Sequence, residues 1–349
     1  MRVLIVRLSS MGDVVQTLPA ITDAARSFPE ARFDWVVDES FAQVPAWHRS
    51  VDAVMPSGLR RWGRNFRNSF RSGEVGAFLK RLREHRYDFV VDLQGEFKSA
   101  MIARLAKGRR AGHDRQSAHE WGAHLAYNRR FAVPKGQHSI ERMRQLLARA
   151  LSYSYDESEI DYGIDRSRLP LPPIALPEPF LVFIHSTSWE SKNWPELYWR
   201  DLTTKATRAG FHIVLPWGTE RERERSLRIA NGNSRVTVLP ELSISEKASI
   251  IARAHATVGL DTGLSHIAAA LDIPSVTLYG ATDPQLVGAT GKNQIQVASG
   301  FECVKCHETE CRYQHPSEFK PACFVEISPE RIWSELQTLV EEKASVTKI

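Results

Sequence analysis

Between Pro170 and Pro179 the chain carries five prolines in ten residues, within Arg168-Leu-Pro-Leu-Pro-Pro-Ile-Ala-Leu-Pro-Glu-Pro179. Proline fixes its own φ, lacks an amide donor and pushes the preceding residue out of the helical region, so this stretch is neither a helix interior nor a central strand. A stiff, extended linker is the form left to it. It lies near the middle of 349 residues, a length that exceeds one ordinary core. The chain therefore reads as a first domain at 1–167, a linker at 168–179, a second domain at 180–328 and a C-terminal segment at 329–349. The helix of that segment is expected to pack back on the first domain.

Both halves repeat one unit: apolar strand, glycine turn, helix. Residues 2–7 run into Ser9-Ser-Met-Gly-Asp13, and Val14–Ile21 continues with helical spacing. Strands are expected at Phe33–Asp38 and Tyr87–Leu93, with helices near Glu74–His85 and His138–Leu151. Asp92-Leu-Gln-Gly-Glu-Phe-Lys98 repeats the turn and sets a cation on its helix. Beyond the linker, strands at Phe180–His185, His212–Pro216, Val236–Leu239, Ala256–Leu260 and Ser275–Tyr279 alternate with helices starting at Pro195, Thr219, Ser245 and Gly263. Short apolar strands alternating with helices imply parallel sheets covered on both faces, an α/β fold of two facing Rossmann-like domains. Ligands of such sheets sit beyond the carboxyl ends of the strands, so the site is expected in the interdomain cleft.

No G-x-G-x-x-G motif follows the first strand, which argues against a nicotinamide or flavin dinucleotide, and Gly288-Ala-Thr-Gly-Lys-Asn293 lacks the spacing of a P-loop. No apolar run reaches the roughly 18 residues of a membrane span, and the N-terminus reads as a first strand with no signal peptide, so a cytoplasmic protein is expected. A formal charge of +5 points to an anionic partner.

Mapping polar residues onto strand ends gives Ser9, Ser10, Gly12 and Asp13 in the first domain. The second domain gives Ser186, Thr187, Lys192, Glu222, Asp261, Thr262, Gly263 and His266. In Ala256-Thr-Val-Gly-Leu-Asp-Thr-Gly-Leu-Ser-His266 a helix begins at a glycine turn. Its first amides have no partner inside the helix and can hold a phosphate, while an N-cap with a packed histidine fits as well. Lys192 with that turn can neutralise a pyrophosphate without a metal ion. Glu222 can accept from ribose hydroxyls or belong to a charged helix face. Asp13 suits a base and suits an N-terminal cap. Arg60-Arg-Trp-Gly-Arg-Asn-Phe-Arg-Asn-Ser-Phe-Arg71, with Trp62, Phe66 and Phe70 four apart, suits a membrane interface, an acidic acceptor or a solvated loop; no nucleic-acid module accompanies it. Cys303, Cys306, Cys311 and Cys323 open with a metal-like pair but continue irregularly, so free thiols and a zinc-type site both fit.

Taken together, Ser9–Asp13, Phe33–Val37, Trp47-His48, Arg60–Trp62, Asp92–Gly95 with Lys98, Lys192-x-Trp-Pro195, Leu215–Gly218 and Asp261–His266 resemble the ADP-heptose:lipopolysaccharide heptosyltransferases, in order and spacing, over nearly the whole chain. The resemblance implies the GT-B architecture and inverting, metal-free transfer of heptose from ADP-heptose, a substrate and no cofactor, to the Kdo of Kdo2-lipid A at the anionic inner face of the inner membrane. Asp13 would be the general base. Lys192, Thr262 and Gly263 would hold the departing ADP, Glu222 the ribose, Leu242 the adenine and Asp261 the heptose, with Ser186, Thr187 and His266 around them. Ser10, Gly12, Arg60, Arg61, Arg64 and Lys98 stand on the acceptor side. Two features depart from the pattern: the cysteine segment, and His119 where an arginine is expected before Glu120. The alternatives are transfer of the second heptose and a non-catalytic binding protein for nucleotide sugar or anionic lipid.

Overall fold

The computed structural model describes residues 1–64, 69 and 71–346. The chain divides into two compact units, Met1–Arg168 and Leu169–Ile349, and the division falls at the start of the proline-rich stretch. Among the described residues no helix is long and apolar enough to cross a membrane.

In the first unit β1 (Arg2–Val6), β2 (Arg32–Asp38), β3 (Val51–Ser57), β4 (Tyr87–Asp92), β5 (Gly108–His113) and β6 (Arg129–Phe131) form one parallel sheet in the order β3-β2-β1-β4-β5-β6. Val3, Leu4, Ile5 and Val6 of the central strand are wholly buried, as an unbroken apolar run requires when helices cover both faces. The helices Met11–Ser27 and Ser139–Leu151 share a buried ion pair, Arg144 Nε donating to Asp23 Oδ2 at 2.7 Å. β3, β5 and β6 escape the sequence pattern because they lie toward the sheet edges and carry Asp52, Pro56 and arginines in place of apolar runs. Gly112 of β5 is forced by packing, since a methyl there would run into the Tyr127 ring.

In the second unit β7 (Phe180–Ile184), β8 (His212–Leu215), β9 (Val236–Val238), β10 (Ala256–Leu260), β11 (Ser275–Tyr279) and β12 (Gln294–Ala298) form a parallel sheet in the order β12-β11-β10-β7-β8-β9. Counted from each unit's own first strand, both sheets run 3-2-1-4-5-6, the doubly wound order with its reversal between the first and fourth strands. Trp194 and Trp199 are fully buried and meet edge to face, ring centres 5.1 Å apart, under this sheet.

The C-terminal helix Pro329–Val346 packs within the second unit. Ile332, Leu336 and Leu339 sit in the core of the second unit, against the helix Glu196–Arg208 and strands β10 and β11. Its apolar face is used there, so it is an element of the second unit.

Candidate active site

Each sheet reverses its strand order at one point, and most of the sequence-derived residues gather at those two points, while Arg60, Arg61 and Arg64 follow β3, Glu222 follows β8 and Leu242 follows β9. In the first unit Ser9–Asp13 follow β1 and Gln94–Lys98 follow β4. In the second, His185–Lys192 follow β7 and Asp261–His266 follow β10.

In the second unit Lys192 closes a 3₁₀ turn, Glu190–Lys192. Its Nζ lies 2.7 Å from Asp261 Oδ2 and 4.4 Å from the centre of the Trp189 ring. Thr282 Oγ1 donates to the same carboxylate oxygen at 2.7 Å, and His266 Nε2 stands 3.6 Å from Oδ1. Burial raises the Asp261 carboxyl, but the hydrogen bond from His266 and the charge of Lys192 outweigh it, so it settles well below the usual carboxylate range. Asp261 is thus a fixed anion that aims Lys192, whose ammonium keeps two more protons for a ligand. Thr262, in extended conformation, caps the helix Gly263–Ala270. Ser265 Oγ reaches back to the Leu260 carbonyl at 2.6 Å, a closure that the missing side chain of Gly259 permits. The helix therefore begins beside the Lys192–Asp261 pair, with its first amides outside the helical ladder.

The loop after β7 is held by its own bonds. Thr187 N donates to Asn193 Oδ1 at 3.2 Å, and Ser186 Oγ lies 2.7 Å from His185 Nδ1. Ser226 Oγ donates to the Glu222 carbonyl at 3.0 Å and lies 2.8 Å from His185 Nε2. Ser226 has its one proton committed, so Nε2–H donates to it and Nδ1 accepts from Ser186. Burial pushes His185 down to about 3, which keeps this relay neutral. Glu222 Oε2 accepts from Gly218 N at 2.6 Å and Thr219 N at 3.1 Å, closing a capping box on the helix Glu220–Ala230. Leu242 is half-buried immediately before Ser243, the cap of the next helix.

In the first unit Asp13 is the third residue of the helix Met11–Ser27. Its Oδ2 accepts from Ser10 N at 2.9 Å and from Ser10 Oγ at 2.8 Å. Oδ1 lies 2.7 Å from the Arg7 guanidinium, which also donates to the Leu93 carbonyl at 3.1 Å. The Asp13 side chain stays one-third exposed while Arg7 is buried. The capping role is present, and the carboxylate is aimed outward by the ion pair. Gly12 is buried in the first turn and Ser10 is exposed at its cap. Leu8 N donates to Gln94 Oε1 at 2.7 Å, tying the β1 turn to the β4 turn. That second turn is anchored by Asp92, whose Oδ1 accepts from Gln94 N at 2.9 Å and Gly95 N at 3.1 Å, and whose Oδ2 accepts from Tyr127 at 2.6 Å. Lys98 is exposed on the first turn of the helix Phe97–Leu105.

The basic segment after β3 forms the helix Leu59–Arg64. Arg61 makes a two-pronged pair with Glu39 at 2.9 and 3.0 Å and reaches Glu74 at 2.7 Å; Arg60 lies 3.4 Å from Asp38 and over the Phe41 ring; Arg64 is exposed. Trp62 does not face outward as a membrane stripe would: it is buried, donates to Glu74 at 3.0 Å and packs edge-on against Phe78. Phe66 and Phe70 lie outside the described residues. His119 is exposed, 3.9 Å from Glu96, while Glu120 accepts from Phe97 N at 2.6 Å and caps that helix.

The four cysteines carry free thiols and line one cavity of about 460 Å³ together with His315. Burial, with the neighbouring thiols, pushes Cys323 up to about 12. Among the described residues no group of three or more His, Cys, Asp or Glu is arranged to hold a metal ion.

Sequence reasoning missed Arg7, Thr282 and Arg142. Arg142 lies near enough to Asp13 and Arg7 to feel both charges, while burial and Arg7 lower it. A charged residue closing an otherwise apolar strand was the available signal for Arg7. Thr282 and Arg142 come from distant elements and carried none.

The model of glycosyltransferase family 9 (heptosyltransferase) matches residues 75–316. The chain is 46% identical to lipopolysaccharide heptosyltransferase 1 of Pseudomonas aeruginosa, over 97% of this chain and 98% of the relative. Among solved structures, Escherichia coli heptosyltransferase WaaC with ADP matches with a TM-score of 0.81 at 45% identity, covering 86% of this chain and 93% of that one. WaaC with ADP-2-deoxy-2-fluoro heptose matches with a TM-score of 0.80 at 39% identity, covering 98% and 100%. The two doubly wound units are those of a GT-B type glycosyltransferase, and the chain belongs to glycosyltransferase family 9, the heptosyltransferases.

Proposed function

We propose that this chain moves heptose from ADP-heptose to the Kdo of Kdo2-lipid A in lipopolysaccharide inner-core synthesis, with inversion and without a cofactor. The observation that carries the donor half is the Lys192–Asp261 pair, 2.7 Å apart, beside the start of the helix Gly263–Ala270. A buried anion aims an ammonium where helix amides also offer donors, which is the charge a leaving pyrophosphate needs. Support for the heptose and for lipopolysaccharide comes from a relative of matching length named for that transfer.

In this reaction the acceptor hydroxyl oxygen attacks the anomeric carbon opposite the ADP. The bond to the phosphate oxygen breaks and its electron pair leaves with ADP, toward Lys192 and the amides of Thr262 and Gly263. Asp13, its partly exposed carboxylate held in one direction by Arg7, takes the hydroxyl proton. Arg60, Arg61, Arg64 and Lys98 would meet the anionic acceptor, and the enzyme would work on the cytoplasmic face of the inner membrane.

The test is ADP release from ADP-heptose with Kdo2-lipid A and, separately, with heptosyl-Kdo2-lipid A. Turnover with the first acceptor alone is expected. Turnover with only the second moves the assignment to the next transfer, and binding without turnover leaves a nucleotide-sugar binder.

A further inference from the structure

Phe97, Met101 and Leu105 recur every four residues along the helix Phe97–Leu105, and all three are exposed, at 60%, 49% and 41%. The opposite face of this helix is spent on the core through Ala100, Ile102 and Ala103. The adjoining 3₁₀ turn Ala123–Ala126 packs against the helix and adds Leu125, 65% exposed; Trp121, just before it, is 78% exposed. The Glu120 carboxylate, accepting from Phe97 N, ties the loop that carries Trp121 to the start of the helix. Five large apolar side chains thus share one outward region, and among the described residues these are more than half of the exposed large hydrophobic ones.

The border of this region is cationic. Lys98 and Arg104 stand on the same helix and Lys107 just past it, and among the described residues none of the three has a carboxylate within ion-pair distance. Arg110 donates to the Ala126 carbonyl at 2.7 Å, which brings it beside Leu125, and Arg104 adds like charge to the burial that lowers it. Two guanidiniums gathered beside exposed apolar side chains call for an anion at the edge of a hydrocarbon phase.

We propose that this region, Phe97, Met101, Leu105, Trp121 and Leu125 with its rim of Lys98, Arg104 and Arg110, is the surface by which the enzyme seats itself on an anionic lipid bilayer. It rests on the proposed action on a lipid-linked acceptor. Aromatic and aliphatic side chains enter the headgroup boundary while the cations meet lipid phosphates. The helix begins directly after the Gln94–Glu96 turn that is tied to the Asp13 turn through Leu8, so a bilayer touching Phe97 presents its headgroups next to that turn. The buried Trp62 makes the helix Leu59–Arg64 the weaker choice for this contact.

The experiment compares the full chain with Met101→Glu/Leu125→Glu and with Trp121→Ser in co-sedimentation with phosphatidylglycerol–phosphatidylethanolamine vesicles and with phosphatidylcholine vesicles. These side chains are exposed, and thermal melts check that the variants fold. The wild type should bind the anionic vesicles at least tenfold better than the neutral ones, and the double variant should lose at least tenfold of that binding. With an acceptor stripped of its acyl chains, the variants should keep wild-type turnover. Unchanged vesicle binding by the variants overturns the proposal, as does a wild type that binds neither vesicle. A wild type that is dimeric, and becomes monomeric in Met101→Glu/Leu125→Glu, also overturns it by giving the surface to a second copy. If the wild type binds vesicles but turns over no acceptor, the functional reading fails while the docking surface stands.

Discussion

The Arg7 guanidinium stands 2.7 Å from Asp13 Oδ1, with Arg7 buried at the end of β1 and Asp13 partly exposed on the following helix. The pair converts a residue that would suffice as a helix cap into a carboxylate held in one direction. Arg7→Leu removes the ion pair on Oδ1 and keeps the Ser10 bonds to Oδ2, and the freedom this gives the carboxylate costs catalytic geometry; misplacement by about 1 Å can cost on the order of a hundredfold. We expect kcat to fall by about ten- to a hundredfold with little change in KM for ADP-heptose, read by steady-state ADP release.

Lys192→Met removes the cation from a buried carboxylate that keeps Thr282 and His266. With two partners left, the loss of stability is expected at about 1–3 kcal/mol. Weaker ADP-heptose binding and a lower kcat should accompany it, measured by calorimetry with ADP and by turnover. Wild-type affinity for ADP in this variant would remove Lys192 from the donor site.

Tyr127→Phe deletes the hydroxyl that donates to Asp92 Oδ2 at 2.6 Å, in a site where burial already pushes the Asp92 carboxyl up. Losing one hydrogen bond to a buried carboxylate costs about 1–3 kcal/mol, so the urea midpoint should drop. The Gln94–Gly95 turn should loosen with it, visible as faster amide exchange at those two residues.

His48, His113 and His185 are each pushed down from 6.5 to about 3, chiefly by burial. The folded chain leaves them neutral while the unfolded chain protonates them below about 6.5. The unfolded state therefore binds more protons, and stability rises with pH through this window. Lowering the pH from 6.5 to 5, still above the usual carboxylate range, should cost up to about 4 kcal/mol per unit for the three together. Urea midpoints across that window check it, and His185→Asn should flatten the slope.

Thiol labelling orders the cysteines. Cys306 is exposed and should react first with an aromatic disulfide reagent, and Cys323, buried and pushed up to about 12, should react last. Four thiols that stay masked together until a chelator is added would mean that a metal holds them.

Much of this was legible because it is periodic. The unbroken apolar run of β1 and the glycine turns after β1, β4 and β10 announce a doubly wound sheet, and Lys192 with Asp261 could be paired from the rule that ligands gather at strand ends. What stayed hidden depends on tertiary company. β5 and β6 are built on Gly108-Arg-Arg and Arg129-Arg, which carry no hydrophobic signal until they stand beside β4. Arg7 looked like the end of a strand until Asp13 folded back over it. The partner of the helix Pro329–Val346 in the second core was hidden too, because an amphipathic pattern states that a face is buried and does not say against what.

The central claim is tested most directly by Asp13→Asn, which preserves the shape of the cap while replacing the carboxylate with a neutral amide. ADP release from ADP-heptose with Kdo2-lipid A should fall by roughly 10²–10⁴-fold, the usual contribution of a general base, while ADP binding stays close to wild type; the melting temperature should drop, because the amide nitrogen must face either Ser10 or Arg7, both donors. Near-normal turnover by Asp13→Asn would contradict the account and leave Asp13 as a helix cap alone.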